Sequence, residues 1–101
     1  MSNPVYLMAQ IDVIDHEKYI EEYGMPVFDL LIKSGAEVLV ATQDAIPKEG
    51  QGYGNWTVLA KFANEEAANN FYDSEEYAPL KKLRIEKHSN GGNLFLVPGL
   101  G

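Results

Sequence analysis

At 101 residues, with 15 acidic against 8 basic side chains and a net charge of −7, the chain has room for one domain, 1–101. That charge excludes a nucleic-acid or anionic-membrane binder, since both need clustered Lys and Arg. The absence of cysteine excludes disulfides, thiolate nucleophiles and Cys-ligated zinc.

The hydrophobic fraction of 46% and charged fraction of 23% are those of a globular chain. No stretch approaches the ~20 apolar residues of a membrane-spanning helix. Met1-Ser2-Asn3-Pro4 shows no basic region followed by an apolar run, so a cytoplasmic location is expected. The one basic grouping, Lys81, Lys82, Arg84 and Lys87, lies among acids and reads as a solvated helix face.

Val5 to Val13 alternates with period two, which predicts a strand. Val5, Leu7, Ala9, Ile11 and Val13 share an apolar face. Tyr6, Met8, Gln10 and Asp12 share a mixed one, which predicts contact with something other than bulk water. Asp15 then offers an N-cap, and Tyr19, Ile20, Tyr23, Val27, Leu30 and Leu31 form a helical stripe. Gly24-Met25-Pro26 interrupts it, which predicts a kink or short break before the helix resumes to Ser34 and stops at Gly35. Glu37 to Gln43 is a second strand. Asp44 to Gly54, with Pro47, Gly50, Gly52 and Gly54, is a long loop of the kind that is often functional. Asn55 to Phe62 is a third strand, with Trp56, Val58, Ala60 and Phe62 on one face and Asn55, Thr57, Leu59 and Lys61 on the other. Asn64 caps a helix carrying Ala67, Ala68, Phe71 and Tyr72. A second helical piece runs from Glu75 to about Lys87, with Tyr77, Leu80, Leu83 and Arg84 in one stripe. Asn90-Gly91-Gly92 reads as a turn, and Asn93 to Val97 as a final strand.

This order, βαββαβ, predicts an α+β ferredoxin-like domain: a four-stranded antiparallel or mixed sheet with both helices on one face. The first strand is expected in the middle, parallel to the third and antiparallel to the fourth. The uncovered face is a large half-apolar patch, and a second copy packed sheet to sheet would close it. A homodimer through that open face is therefore expected.

Several residues present themselves as a site. On the open face, Gln10, Asp12, Asn55, Thr57 and Lys61 would set a few polar groups in an apolar cavity beneath the 44–54 loop, with Asp12 beside Lys61. The competing reading is a rim ion pair of little consequence. His16, Tyr19 and Tyr23 can share a helix face, and His16, Asp12 or Tyr23 could move protons; as plain helix residues they would be exposed rim and core. Tyr72, Tyr77 and Arg84 could line one end of the cavity, or simply pack. His88 is expected to be exposed. Two histidines without cysteine make no metal site, neither is placed as a haem ligand, and no phosphate or dinucleotide motif is present, so no cofactor is expected.

Tyr6-Leu7-Met8-Ala9-Gln10-Ile11-Asp12-Val13 with Asp15-His16-Glu17-Lys18-Tyr19, Phe71-Tyr72-Asp73-Ser74-Glu75-Glu76-Tyr77 with Leu80-Lys81-Lys82-Leu83-Arg84, and Gly92-Asn93-Leu94 with Val97 together resemble the family named domain of unknown function 1330 (DUF1330), within the dimeric α+β barrel superfamily. The resemblance covers nearly the whole chain and implies a ferredoxin-like protomer that dimerises through its sheet. It implies no particular activity, since the superfamily holds monooxygenases, isomerases, haem-dependent enzymes and plain ligand binders. Relatives often carry a basic residue where Asn55 stands, so an anion-binding role does not carry over to that position. The expected function is binding, or metal-free conversion, of a small apolar or aromatic molecule by Gln10, Asp12, Tyr19, Asn55, Thr57, Lys61, Tyr77 and Arg84. The alternative is a non-enzymatic protein-interaction or structural dimer module.

Overall fold

The computed structural model describes residues 3–100; Met1 and Ser2, on which part of the reading of the N-terminal segment rests, lie outside them. Strands β1 (Val5–Val13), β2 (Glu37–Thr42), β3 (Trp56–Phe62) and β4 (Ser89–Pro98) form one sheet in the order β2-β3-β1-β4. Helices α1 (His16–Tyr19), α2 (Met25–Lys33), α3 (Glu65–Tyr72) and α4 (Tyr77–Leu83) carry the crossovers. The domain is an α+β ferredoxin-like fold. Its Cα atoms span 40 × 36 × 17 Å, and the short dimension leaves space for one helix layer on one sheet layer, with no third.

Alternation along β1 decides which face is core. Val5, Leu7, Ala9, Ile11 and Val13 are buried beneath the helices, together with Ala60 and Phe62 of β3. Tyr19, Tyr23, Val27 and Leu31 of the first helical segment, and Ala68, Phe71 and Tyr77 of the second, close over them. The opposite face carries Met8, Leu59 and Phe95, aligned across three strands by the pairs Met8–Leu59 and Met8–Phe95. No element among the described residues covers that face as a layer.

Every strand pair is antiparallel, which corrects the expectation that β1 and β3 run parallel. A βαβ crossover makes β1 and β2 point the same way, and the β2–β3 connection reverses β3. The consequence is local and large. Lys61 stands opposite Tyr6 and Glu37, six residues along β1 from Asp12, about 20 Å away at strand rise.

The caps are those the sequence offers. Asp15 Oδ1 accepts from the Lys18 amide at 3.2 Å, and Asn64 Oδ1 from the Ala67 amide at 2.8 Å. At the α3–α4 junction the Ser74 hydroxyl accepts from the Tyr77 amide at 3.1 Å and donates to the Phe71 carbonyl at 2.8 Å.

No break occurs at Gly24-Met25-Pro26. The helix instead widens into a π-helical turn over Ile20–Gly24, where the Met25 amide donates to the Ile20 carbonyl, and Pro26 falls in the first turn of α2. A proline ring crowds the carbonyl four residues back, and a wider turn ahead of it accommodates that ring without ending the helix. A second π turn, Arg84–His88, follows α4. It ends where the Ser89 hydroxyl donates to the Arg84 carbonyl at 2.8 Å.

The expected turn at Asn90-Gly91-Gly92 is strand. β4 begins at Ser89, and Gly92 pairs with Ile11. A Cβ at Gly92 would come within 3.1 Å of the Gln10 carbonyl oxygen, so this glycine serves close strand approach and not chain reversal.

Candidate functional site

The two sheet faces hold two cavities of different chemistry. One, of about 70 Å³, lies between helices and sheet. Leu7, Ala9, Ile11, Trp56, Val58 and Leu94 form its floor, and Tyr19, Tyr23, Gly24, Val27, Phe28 and Tyr77 its walls. Half-exposed Phe28 and exposed Ala41 mark its rim. The other, of about 210 Å³, lies on the opposite side under the 44–54 loop. Gln10 and Thr57 of the sheet and Asn55 just before β3 line it, with Gln43, Glu49, Gln51 and Tyr53.

On the helix side, Tyr23 and Tyr77 touch hydroxyl to hydroxyl at 2.7 Å, fully buried. Tyr19 packs on Tyr23 with ring centroids 5.0 Å apart, and Trp56 meets Tyr19 edge-on at 5.9 Å. Arg84 lies behind the pair, its guanidinium carbon 5.9 Å from the Tyr23 ring centroid. It is only 6% exposed, and its Nε finds no hydrogen-bond partner. The basic grouping therefore is not one solvated face: Arg84 turns inward, while Lys87 stays out and Lys81 sits 4.4 Å over the Tyr72 ring.

Electrostatics follow from burial. Desolvation pushes the Tyr23 hydroxyl well above its ordinary pKa, and proximity to Tyr77 adds to the shift. Tyr19 is raised for the same first reason. Burial works against the Arg84 charge, but the neighbouring Tyr23 and Tyr77 oxygens outweigh it and hold its pKa above the ordinary value.

The two π turns meet at Glu22. Its Oε1 accepts from Lys87 Nζ at 3.0 Å and lies 3.0 Å from His88 Nε2. The hydrogen bond from Lys87, and then the two nearby charges, hold the Glu22 carboxyl below its usual range. His88 is 3% exposed, not solvated as expected, because Glu22 reaches it across 66 residues of chain. π turns recur at functional sites, and here a pair brackets the tyrosine–arginine cluster.

The structure thus merges two groups that the sequence kept apart. Tyr19 and Tyr23 from the first helical segment join Tyr77 and Arg84 from the second. His16 stands at the edge of this group, its ring 5.9 Å from Trp56 and its Nδ1 buried without a partner. Gln10 and Thr57 pair across β1 and β3 on the other face. Asn55 lines the loop cavity, but both ends of its amide are used: Oδ1 accepts from the Val13 amide at 2.8 Å, and Nδ2 donates to the Val13 carbonyl at 2.9 Å. Asp12 and Lys61 do not meet, and neither lines a cavity described here. Sequence reading placed Trp56 on one face of the third strand, took Gly24 only as part of a helix interruption and gave Phe28 no role. The available signal was a glycine within an otherwise bulky apolar stripe, which leaves space over the sheet. Among the described residues no group of three His, Asp or Glu is placed to hold a metal ion, and no helix is long and apolar enough to cross a membrane.

The DUF1330 family model, described as a domain of unknown function, matches residues 4–100, and the chain belongs to that family. Among solved structures it is similar to a protein of unknown function from Rhodopseudomonas palustris: TM-score 0.78, 12% identity, covering 100% of this chain and 85% of that one. It is similar to a protein described as a candidate antibiotic biosynthesis monooxygenase from Nitrosomonas europaea: TM-score 0.71, 11% identity, coverage 99% and 93%. A dimeric protein of unknown function with a ferredoxin-like fold, from Bacteroides fragilis, matches with TM-score 0.64, 13% identity and coverage 95% and 96%. No match to a curated protein was found. At these identities the likeness is one of fold.

Proposed function

We propose that this protein binds, or converts without a metal cofactor, a small apolar or aromatic molecule in the cavity between helices and sheet, and that it works as a homodimer joined through the open sheet face. The observation that carries the ligand reading is an apolar, aromatic-walled cavity with one hydrogen-bonded tyrosine pair in its wall. Ligand sites combine an apolar surround with a few placed polar groups in this way. The loop cavity is larger, but its walls of Gln10, Gln43, Glu49, Gln51 and Thr57 suit a hydrophilic guest. The present volume of about 70 Å³ is below the ~150 Å³ of a cavity that takes benzene, so a guest of that size requires the side chains lining it to give way.

The dimer reading rests on the uncovered face. Phe95 and Met8 are exposed there beside Leu59 and Val97, a contiguous patch of the kind that marks association surfaces. The Bacteroides fragilis neighbour and one from Thermobifida fusca are described as dimeric. Native mass spectrometry of freshly purified protein tests both parts. The expected result is a dimer carrying additional small-molecule mass that is lost on unfolding and absent in Gly24→Leu, which adds bulk to the cavity wall. A clean monomer overturns the dimer, and unchanged extra mass in Gly24→Leu overturns the cavity. A second reading, a protein-interaction module, draws on Met25, Phe28 and Ile32, exposed at helical spacing on α2; it predicts that Met25→Glu abolishes a partner contact without touching small-molecule binding.

A further inference from the structure

The tyrosine pair and Arg84 hold more hydrogen-bond donors than acceptors can satisfy. Each hydroxyl has one proton to give. By geometry the Tyr23–Tyr77 contact uses one of the two. The second proton cannot point at Arg84, whose guanidinium only donates. Apart from Tyr19, with which neither hydroxyl is hydrogen-bonded, the other side chains lining the cavity are apolar or the indole of Trp56, which only donates.

Charge is unbalanced in the same sense. Arg84 is 6% exposed, and none of the ion pairs among the described residues includes it. A buried, unpaired cation is costly unless an anion reaches it. Tyr19 and Tyr23 do not become that anion at neutral pH, because burial holds both above their ordinary pKa. An Nε with no partner adds a further unused donor behind the pair.

We propose that the Tyr23 and Tyr77 hydroxyls, backed by Arg84, form a recognition site for an acidic oxygen, so that the cavity takes small aromatic acids in their anionic form in preference to neutral molecules of the same shape. The free tyrosine proton donates to the acid's oxygen, and Arg84, which does not itself line the cavity, supplies the balancing charge through the hydroxyls. This rests on the reading of the helix-side cavity as the ligand site.

The test uses benzoate and its neutral isostere nitrobenzene as probes, titrated into the isotope-labelled full chain while the Gly24 and Val27 amide signals are followed. Benzoate is expected to bind at least about ten-fold more tightly, as for a charge-assisted against a neutral hydrogen bond. That preference is expected to collapse in Tyr23→Phe and in Arg84→Met, and to survive in part in Arg84→Lys, which keeps the charge should Arg84→Met fail to fold. Equal binding of the two probes, both moving Gly24 and Val27, overturns the acid preference and leaves the cavity as the ligand site. Failure of both probes to move those amides overturns the cavity itself, and this inference with it. An undiminished benzoate preference in both Tyr23→Phe and Arg84→Lys overturns the assignment to this cluster.

Discussion

The two faces of the sheet are built from the same strands, residue by residue in alternation, yet their chemistry differs in kind. Under the helices, aromatic rings pack from Phe62 through Phe71 to Tyr77 and on to Tyr23 and Tyr19, and the polar atoms among them are few: the Tyr23 and Tyr77 hydroxyls pair, while Arg84 Nε is buried without a partner. On the open side apolar Met8, Leu59 and Phe95 give way along the strands to Gln10, Thr57 and Asn93. The cavity on the first side is apolar and aromatic, the cavity on the second is polar, and exposed Met8 and Phe95 lie on the second. The lesson is that burial by the chain's own helices makes polar groups scarce and strongly felt, while the surface left over is free to associate.

The sharpest way to break this contrast is to remove matching rings. Phe62 is 1% exposed and Phe95 52%. Phe62→Ala is expected to cost about 3–5 kcal/mol of folding stability by chemical denaturation. Phe95→Ala is expected to leave monomer stability within about 0.5 kcal/mol and to weaken self-association in sedimentation experiments. Equal losses would mean that the open face is core in the free chain.

Glycines where the loop rejoins the sheet give the next effect. Gly50 and Gly54 both adopt left-handed backbone, with φ of 72° and 70°. A Cβ at Gly50 meets open space, while at Gly54 it collides with the Ile11 carbonyl. Gly50→Ala is expected to cost about 1 kcal/mol and Gly54→Ala distinctly more, in the ~1–3 kcal/mol range of enforced strain or above it, read as a difference in thermal midpoint.

Within the helix-side cluster, Tyr23→Phe removes one partner of a buried hydrogen bond and is expected to cost about 1 kcal/mol. Lys61→Met, on the open face and far from Asp12, is expected to leave helix-side ligand binding unchanged in the same titration.

The smallest effect is expected at the clasp between the π turns. Glu22 has a folded pKa below its unfolded value of 4.5, so its contribution is present above that pH and is lost as pH falls through the folded value. Glu22→Gln is therefore expected to lower the denaturation midpoint slightly at neutral pH. The gap from the unsubstituted protein should close on acidification below about 4.5. A gap independent of pH would show that the carboxylate charge plays no part.

Much of this architecture was legible in the chain. The alternation of Val5–Val13, the caps at Asp15 and Asn64 and the loop after β2 are local signals, each read from a few neighbouring residues. The start of β4 was not, because Asn90-Gly91-Gly92 carries the composition of a turn, while the reason for Gly92 is the Gln10–Ile11 backbone across the sheet. The π turn at Ile20–Gly24 was hidden similarly: Pro26 announces a disturbed helix but not whether the chain breaks or widens. Of the candidate site residues, Tyr19, Tyr77 and Arg84 were legible as ligand-binding candidates and Tyr23 as a proton-moving one, but they lie on two helical segments whose contact no local signal reveals.

By itself, the sequence determined the order of elements, the apolar side of each and hence the two-layer fold, since periodicity and capping are properties of short stretches. Tertiary structure alone decided strand direction, which separates Asp12 from Lys61, and the fate of the basic residues after α4. Arg84 is buried because Tyr23 and Tyr77 enclose it, and His88 because Glu22 meets it. Those partners lie on different elements, and only packing brings their charges and hydroxyls within reach of one another.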